Sequence, residues 1–380
     1  MPDNVPNDLI PLRERIDELD RRFVELLAER NELVAQVADV KRRSGFPIRD
    51  SSREGQMLED RRTLGVKDGI RPEVVESLFR VILWASRDRQ AALRAAVPIH
   101  VDPRRIAIIG GNGGMGRCLE KMFLDQGHQV LIADVDTTLT PKEAAEQADA
   151  TVISVPIRST REVIELVGPA CGEDSLLLDV TSIKSDPVEA MVNSTSANVI
   201  GTHPLFGPAI NSLQGQRVVM TPARLHDGEW ESWLHSSFKA AGLEVIQSTP
   251  EKHDRIMSVV QVLTHYSTEV IGRTMQALDV SIAESLQFTS PIYHMELLMA
   301  ARHFAQSPDL YSAIEMSNPN TEAVTSAFTR AAEEMRSLII SGDQDGFRDT
   351  FGEVRDFFGE FSKTALVESS YLIDRLVERT

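Results

Sequence analysis

The sequence predicts a multi-domain chain, all-α at both ends and α/β in the middle, divided at residues 1–97, 98–250 and 251–380. Three observations carry that reading. Apolar residues recur at helical spacing through residues 8–96. Short β-rich runs then alternate with helical stretches from Arg105 onward. After Thr249 the runs stop and helical periodicity returns alone.

In the first domain, ten positions spaced three or four apart form one seam: Leu9, Leu12, Ile16, Leu19, Phe23, Leu26, Arg30, Leu33, Val37 and Val40. Nine are apolar, which predicts one long amphipathic helix with Arg30 on its apolar stripe. A buried cation is costly unless an anion meets it. On an ideal helix Lys41 lies about 20° round from Arg30 and roughly 16 Å further along, so both can converge on one small dianion. A coiled-coil position paired with a Glu of a neighbouring helix satisfies the same pattern. The helix should end near Arg43, before Ser44-Gly45-Phe46-Pro47. A second helix starts near Asp50-Ser51-Ser52, with Asp or Ser as N-cap. A third starts at Arg71-Pro72-Glu73 and carries Val75, Leu78, Phe79, Ile82 and Leu83. Val97–Pro103 reads as a linker.

In the middle domain, β-rich runs occur at Ile106–Ile109, Val130–Ala133, Thr151–Val155, Leu176–Val180, Val199–Thr202, Val218–Thr221 and Leu243–Ile246. Helical crossovers between several of them predict a mostly parallel sheet. The first run leads into Gly111-Asn112-Gly113-Gly114-Met115-Gly116 and a helical stretch. Gly111, Gly113 and Gly116 thus form G-x-G-x-x-G between a strand and a helix, the Rossmann-type arrangement that seats a pyrophosphate at a helix N-terminus. The next run ends on Asp134, about 20 residues on, where a carboxylate holds a ribose 2′-hydroxyl. With Asp136 close by and no Arg in the immediate sequence neighbourhood, the expected cofactor is NAD and not NADP.

Asn198–Thr202 runs straight into His203-Pro204-Leu205-Phe206-Gly207-Pro208. A His at the C-terminal end of such a strand faces the crevice where doubly wound sheets bind ligands. It can take a proton from a hydroxyl while hydride leaves the same carbon. Asp179-Val180-Thr181-Ser182-Ile183-Lys184 ends another strand and places Ser182 in the same crevice; either residue could equally be an ordinary loop or capping group. In the last domain Ser290-Pro291-Ile292 is a helix start, and the stripe Ile292, Met295, Met299 continues to Arg302. An interhelical ion pair would explain Arg302, and a satisfied core histidine would explain His265.

A net charge of −17 argues against general affinity for nucleic acid or anionic membrane. An anionic substrate must then be met by local Arg and Lys. Cys118 and Cys171 lack metal-ligand spacing and read as reduced core residues, with no metal expected. The N-terminus lacks a signal-peptide pattern and no apolar run approaches the roughly 20 residues of a membrane span, so a cytoplasmic protein is expected.

Together these features are specific. The chain resembles the bifunctional chorismate mutase–prephenate dehydrogenase family, the T-proteins, almost from end to end. The resemblance is carried by Leu12-Arg13 through Glu18, Leu27 to Arg30, Pro47 through Arg53-Glu54, the glycine loop, His203 to Pro208, and Ser290 to Tyr293. It implies an all-α chorismate mutase domain, a Rossmann-type NAD-binding domain and an all-α dimerisation domain. Matched residue by residue, the mutase motif falls on Arg13, Arg30, Lys41, Asp50, Arg53, Glu54, Ser86 and Gln90. The resemblance implies that Arg13 and Arg30 clamp carboxylates and that Lys41 and Gln90 donate to the ether oxygen of chorismate. Glu54 would hold the ring hydroxyl, with Ser86 and Asp50 in support.

For the dehydrogenase it implies that His203 is the base acting on prephenate, that Ser182 binds the hydroxyl, and that Arg302 binds a carboxylate. The enteric members have Arg where this chain has His294, which puts a second carboxylate contact in doubt. Tyrosine feedback would be usual, with His265 a candidate sensor. One geometric argument stands apart from the resemblance. Arg13 lies roughly 25 Å from Arg30 along the helix and about 100° round it, so one straight helix cannot bring both to one ligand. Arg13 should therefore serve the partner's site in a homodimer with antiparallel long helices.

Two rival readings stay open. One is a dehydrogenase whose helical domain binds a regulator and no longer rearranges chorismate. The other is a different NAD-dependent dehydrogenase of small acids fused to an inactive helical dimerisation module.

Overall fold

The computed structural model describes residues 6–44, 46, 48–95 and 103–377. Helix α1 (Leu9–Arg43) is a single 35-residue helix. Pro11 sits in its first turn, where a missing N–H costs nothing, and no later Pro or Gly interrupts it. Helix α2 (Ser51–Lys67) is capped by the Asp50 side chain, which accepts from Arg53 N at 3.0 Å. Helix α3 (Pro72–Ala95) opens on its proline and packs against both. Of the expected helix stop, Gly45 and Pro47 lie outside the described residues, as does the expected linker Val97–Pro103 up to residue 102.

The expectation of a buried apolar stripe on α1 is corrected. All nine apolar seam positions are 39–60 % exposed. The face turned to α3 is a different one, on which Val34 and Ala38 are buried and Arg30 is half-buried. Among the described residues of one chain the seam stays largely uncovered.

All seven expected strands form, with ends shifted by up to three residues. They are β1 (Arg105–Ile109), β2 (Gln129–Ala133), β3 (Ala150–Ile153), β4 (Leu176–Asp179), β5 (Asn198–Pro204), β6 (Arg217–Arg224) and β7 (Glu244–Gln247). The sheet order is β2-β1-β3-β4-β5-β6-β7, parallel except at β5–β6. Successive residues of β1 point to opposite faces. Ile106 and Ile108 join Leu119 and Phe123 of α4 (Gly114–Asp125) and the tryptophans of α8 (Glu229–Ala240); Ala107 and Ile109 join α5 (Pro141–Gln147), α6 (Ile157–Val167) and α7 (Ser185–Ser194). Because β1 leads to β2 on one side and lies beside β3 on the other, a crevice opens at their C-terminal ends. Cys171 is buried on this domain, but Cys118 is only half-buried, against the expectation of two core thiols.

The tail is helical: α9 (Pro250–Met257), a π-helical turn (Ser258–Leu263), α10 (Thr264–Leu278), α11 (Ile282–Gln287), α12 (Pro291–Phe304), α13 (Pro308–Ser317), α14 (Thr321–Ser341), α15 (Gln344–Phe358) and α16 (Phe361–Val377). Ser290 caps α12 as its Ser-Pro start predicts, accepting from Tyr293 N at 3.2 Å. Neither α14 nor α15 contains a buried residue. Among the described residues no helix is long and apolar enough to cross a membrane.

Candidate functional site

The glycine loop is built as its spacing predicts. A Cβ at Gly116 would lie 2.6 Å from Gly110 O and from Gly111 Cα, so only glycine lets α4 approach the strand end. A Cβ at Gly111 would strike Ile132 at 2.6 Å, and one at Gly113 would sit 3.3 Å from Gly110 O. Gly110, which precedes the motif, makes the turn itself at φ 82°. Gly113 caps α4 in extended conformation without a side-chain hydrogen bond. This cradle fits the pyrophosphate of a dinucleotide.

Asp134 stands at the end of β2 as expected. Its Oδ2 accepts from Asn112 N at 2.9 Å and its Oδ1 from Val135 N at 2.8 Å. A carboxylate offers about four lone-pair sites, so room remains for a ribose hydroxyl. Asn112 also donates to Asp136 at 2.6 Å, which ties the loop to the turn after β2. A guanidinium does stand nearby, contrary to the sequence neighbourhood: Arg117 Nε donates to Asn112 O at 3.0 Å. Helical spacing brings it back over the loop, five residues on.

The ends of β4 and β5 adjoin, Asp179 opposite Gly201, so the segments bearing Ser182 and His203 emerge side by side. His203 is 3 % exposed; Ser182 is half-buried in its loop. His203 Nδ1 is 2.9 Å from His253 Nε2, whose Nδ1 is 2.8 Å from Asp254 Oδ1. On the other side, His203 Nε2 faces Gln261 Nε2 at 3.5 Å. Lys184, wholly buried, pairs with Asp179 and donates to Thr202 O at 2.7 Å, fixing the backbone just before His203. Burial pushes the Lys184 ammonium down against the pull of Asp179. Burial foremost, then His253 and Lys184, push His203 well below the ordinary value. Pro208, at the end of the same loop, abuts the glycine loop: a Cβ at Gly114 would lie 2.9 Å from its Cγ. His203 and the glycine cradle therefore share one crevice.

In the tail, Arg302 is exposed on α12 and makes no ion pair among the described residues; His294 is half-buried on the same helix. His265 sits in a separate cluster with His303, Tyr311 and Glu315, its ring centroid 4.7 Å from Tyr311. Burial, with Glu269 nearby, raises Glu315 to about 7.

The mutase residues gather only in part. Arg30 Nη1 donates to Ser86 Oγ at 2.5 Å, and Gln90 Nε2 donates to Ser86 O at 3.2 Å. Ser86 and Gln90 are buried, 4 % and 7 % exposed, although their pattern alone reads as solvated surface. Gln90 Oε1 is buried and has no hydrogen-bond partner among the described residues. Lys41 Nζ donates to Ile48 O at 2.7 Å, with its charge 5.5 Å from the Phe46 ring. Glu54 pairs with Arg87 at 2.7 Å. Asp50 caps α2; Arg53 is exposed. Arg13 is exposed, far along α1, and touches none of these residues.

Sequence reasoning missed His253, Asp254, Gln261 and Lys184 around His203, and Arg87 beside Glu54. His253 and Asp254 lie inside α9, on the helix that follows β7, and reach His203 by tertiary packing. Gln261 lies on a π-helical turn, which no periodicity reveals.

Comparison with known proteins agrees with this layout. Residues 12–91 match the chorismate mutase type II family, 118–247 the prephenate dehydrogenase nucleotide-binding domain, and 249–353 the prephenate dehydrogenase dimerization domain. The T-protein of Haemophilus influenzae is 34% identical over 366 residues, 96% of each chain. The chain belongs to the T-protein family. The T-protein of Enterobacter agglomerans is 34% identical over 368 residues, 96% of this chain and 97% of that one. Among solved structures, prephenate dehydrogenase from Aquifex aeolicus, in complex with hydroxyphenyl propionate and NAD+, matches with a TM-score of 0.57 at 20% identity, covering 69% of this chain and 100% of that one. That likeness shows the fold. As a member of the T-protein family the chain is a bifunctional enzyme, a chorismate mutase joined to a prephenate dehydrogenase.

Proposed function

We propose that the chain converts chorismate to prephenate at its helical end and prephenate to 4-hydroxyphenylpyruvate in the crevice at His203, with NAD as cofactor. The observation that carries this reading is the buried His203, held in its base form beside a dinucleotide cradle on the same crevice.

Claisen rearrangement of chorismate needs no acid, base or covalent intermediate. A catalyst holds the compact conformer and stabilises charge growing on the ether oxygen. Arg30 binds a carboxylate in planar bidentate fashion, and Lys41 and Gln90 donate to the ether oxygen. Gln90 Nε2 carries a second N–H besides the one it gives to Ser86 O, and that N–H is the donor for the ether oxygen. Glu54, kept in place by Arg87, takes the ring hydroxyl; Ser86 orients Arg30, Asp50 holds the start of α2, and Arg53 adds positive charge. Arg13 reaches the site of a second copy, and the uncovered seam of α1 supports that homodimer.

Gly111, Gly113, Gly116 and Asp134 would hold NAD, and the bound cofactor would supply the hydride acceptor for the hydroxyl-bearing carbon of prephenate. His203 Nε2 takes the hydroxyl proton, and Ser182 orients that hydroxyl. As the ring carboxylate leaves as CO2, its bonding electrons aromatise the ring, and the proton returns to the phenolate oxygen. Arg302 binds a carboxylate from the tail, with His294 close on the same helix. Tyrosine, which shares the phenol ring and carbon skeleton of the product with an amino group in place of the keto group, would inhibit through the His265 cluster.

One assay decides between this and the rival readings. NADH formed from chorismate alone requires both activities, and NADH from prephenate only the second. No NADH from chorismate, with full activity on prephenate, would reduce the helical domain to a regulator; none from either would leave only another dehydrogenase.

A further inference from the structure

A neutral imidazole carries one proton, and the proposed reaction needs it on the right nitrogen. The geometry points to His253 and Asp254 as a positioning pair that holds the proton of His203 on Nδ1 and so leaves Nε2 bare to act as base. This inference rests on the reading of His203 as the base.

The chain of hydrogen bonds has only one consistent direction, and Asp254 sets it. Its Oδ1 accepts from Lys184 N at 2.8 Å and its Oδ2 from Ser185 N at 2.9 Å, both backbone donors that cannot reverse. Burial pushes the carboxyl up, but hydrogen bonds from His253, Ser185 and Lys184 outweigh it and hold the group below its ordinary value. As an ionised acceptor, Asp254 bonds His253 Nδ1 only if that nitrogen bears the proton. Burial keeps His253 neutral, so its Nε2 is bare. The 2.9 Å contact from there to His203 Nδ1 then requires the proton on His203 Nδ1. The far end agrees, because Nε2 of His203 faces the amide donor of Gln261.

Other charges around the ring do not compete. Lys184 spends its donors on Asp179 and on Thr202 O, and Asp179 reaches the rings only through space. Asn318 Nδ2 donates to Asp254 O at 2.9 Å and so anchors the pair to the segment between α13 and α14. When Nε2 takes the substrate proton, both nitrogens of His203 become donors, and the carboxylate one ring away stabilises the new charge. The logic is that of a Ser-His-Asp triad with a second histidine inserted between the base and the carboxylate.

The test uses the full-length enzyme with NAD saturating. His253→Leu removes the acceptor; His253→Gln restores one, with its carbonyl toward His203 and its amide toward Asp254. His253→Leu should lower dehydrogenase kcat about 100-fold or more while changing the prephenate KM less than about threefold. His253→Gln should recover at least about tenfold of that loss, the scale of restoring one oriented proton acceptor. The acidic limb of the His253→Leu pH–rate profile should move to lower pH, because the imidazolium has lost its acceptor. A packing role predicts the opposite: Leu and Gln lose alike, and water entering the site moves the limb up towards about 6.5. Either result, or wild-type kcat in His253→Leu, overturns the inference. Mutase activity and NAD binding of the same preparations report folding. If His253→Leu does not fold, His253→Asn, polar but too short to reach Nδ1, takes its place with the same expected loss. His203→Asn separates the two levels. Loss there with none in the His253 variants removes the pair and keeps the base; no loss there removes both.

Discussion

The α/β domain and the first helix bury their apolar residues to very different extents. Ile106, Ala107 and Ile108 are 0 % exposed, covered on both faces of the sheet by helices of the same chain. The nine apolar positions along α1 stay 39–60 % exposed. Full burial of a large aliphatic side chain is worth about 1.5–3 kcal/mol, so nine half-exposed ones leave on the order of 10 kcal/mol unrealised. The difference maps onto the two proposed sites. Around His203 the acceptor, the donor and the buried ion pair all come from one chain. Along α1, Arg30 and Arg13 stand roughly 25 Å apart and about 100° round the helix from each other, with open apolar surface between them. The tail shares the second character, with Phe351, Phe357 and Phe361 61–84 % exposed. On the proposed reading, the groups around His203 are assembled within one chain, whereas the helical site needs a second copy.

The largest effect is expected where the chain is most closed. His203→Asn should lower dehydrogenase kcat by about 10² to 10⁴, the usual worth of a general base, and change prephenate affinity little. With its folded-state value well below 6.5, His203 is neutral at pH 7. Wild-type kcat should therefore hold down to pH values below the ordinary His value and fall only as pH passes through the lowered one. The Asn variant should lack that acidic limb. A limb that persists removes His203 from the role. The same shift acts on stability, because the unfolded chain takes up protons that folded His203 and His253 refuse. Stability should be full above about 6.5 and decline as pH falls towards the lowered values, which a urea midpoint at each pH measures.

On the open side, Gln90→Ala or Lys41→Ala should reduce mutase turnover by about two or more powers of ten, the scale of one lost transition-state donor. Dehydrogenase activity on supplied prephenate should survive, since neither residue belongs to the sheet domain. Mutase turnover near wild type would leave the ether-oxygen donors to be found elsewhere, and loss of both activities would break the division between the two regions.

How much of this was legible in the sequence follows the same division. The strands were legible because sheet burial writes itself as short β-rich runs, and Gly116 because a Cβ there meets backbone at 2.6 Å. The α1 seam was legible as a pattern, but its exposure was not: the periodicity records a surface that this chain leaves open, while Val34 and Ala38, which do pack inside, lie on a face with less pattern. His203 could be placed at a strand end. Its partners could not, because His253 and Asp254 arrive some fifty residues later and act through pairings that leave no spacing. Arg117 escaped for the simplest reason, that one helical turn folds it back over Asn112.

A smaller effect sharpens the claim that the α/β half is prebuilt. Asp134→Ala should weaken NAD binding and shift the NAD:NADP ratio of dissociation constants by about tenfold towards NADP, because a hydroxyl acceptor that repels phosphate is lost and Arg117 remains beside the loop. Titration with both cofactors measures it. An unchanged ratio would mean that the ribose is read by other groups. Because Asp134 also holds Asn112 N, dehydrogenase KM for prephenate serves as the check that the crevice is otherwise intact.

The smallest expected signal bears most directly on the comparison. Arg13→Ala and Arg30→Ala enzymes should each be nearly inactive as mutases. If Arg13 serves the partner's site, a mixed dimer of the two contains one site lacking both arginines and one lacking neither. Unfolding and refolding an equimolar mixture makes half the dimers mixed, so about a quarter of wild-type mutase activity should return. Dehydrogenase activity, which depends on neither arginine, reports recovery of folded protein, and differently tagged subunits report exchange. Mutase activity that stays absent after full exchange would show each site to be built within one chain. Helix α1 would then have to bend sharply between Arg13 and Arg30, yet it runs unbroken from Leu9 to Arg43 and has neither Pro nor Gly in that interval. The seam would also be left without the partner that its nine exposed apolar residues call for.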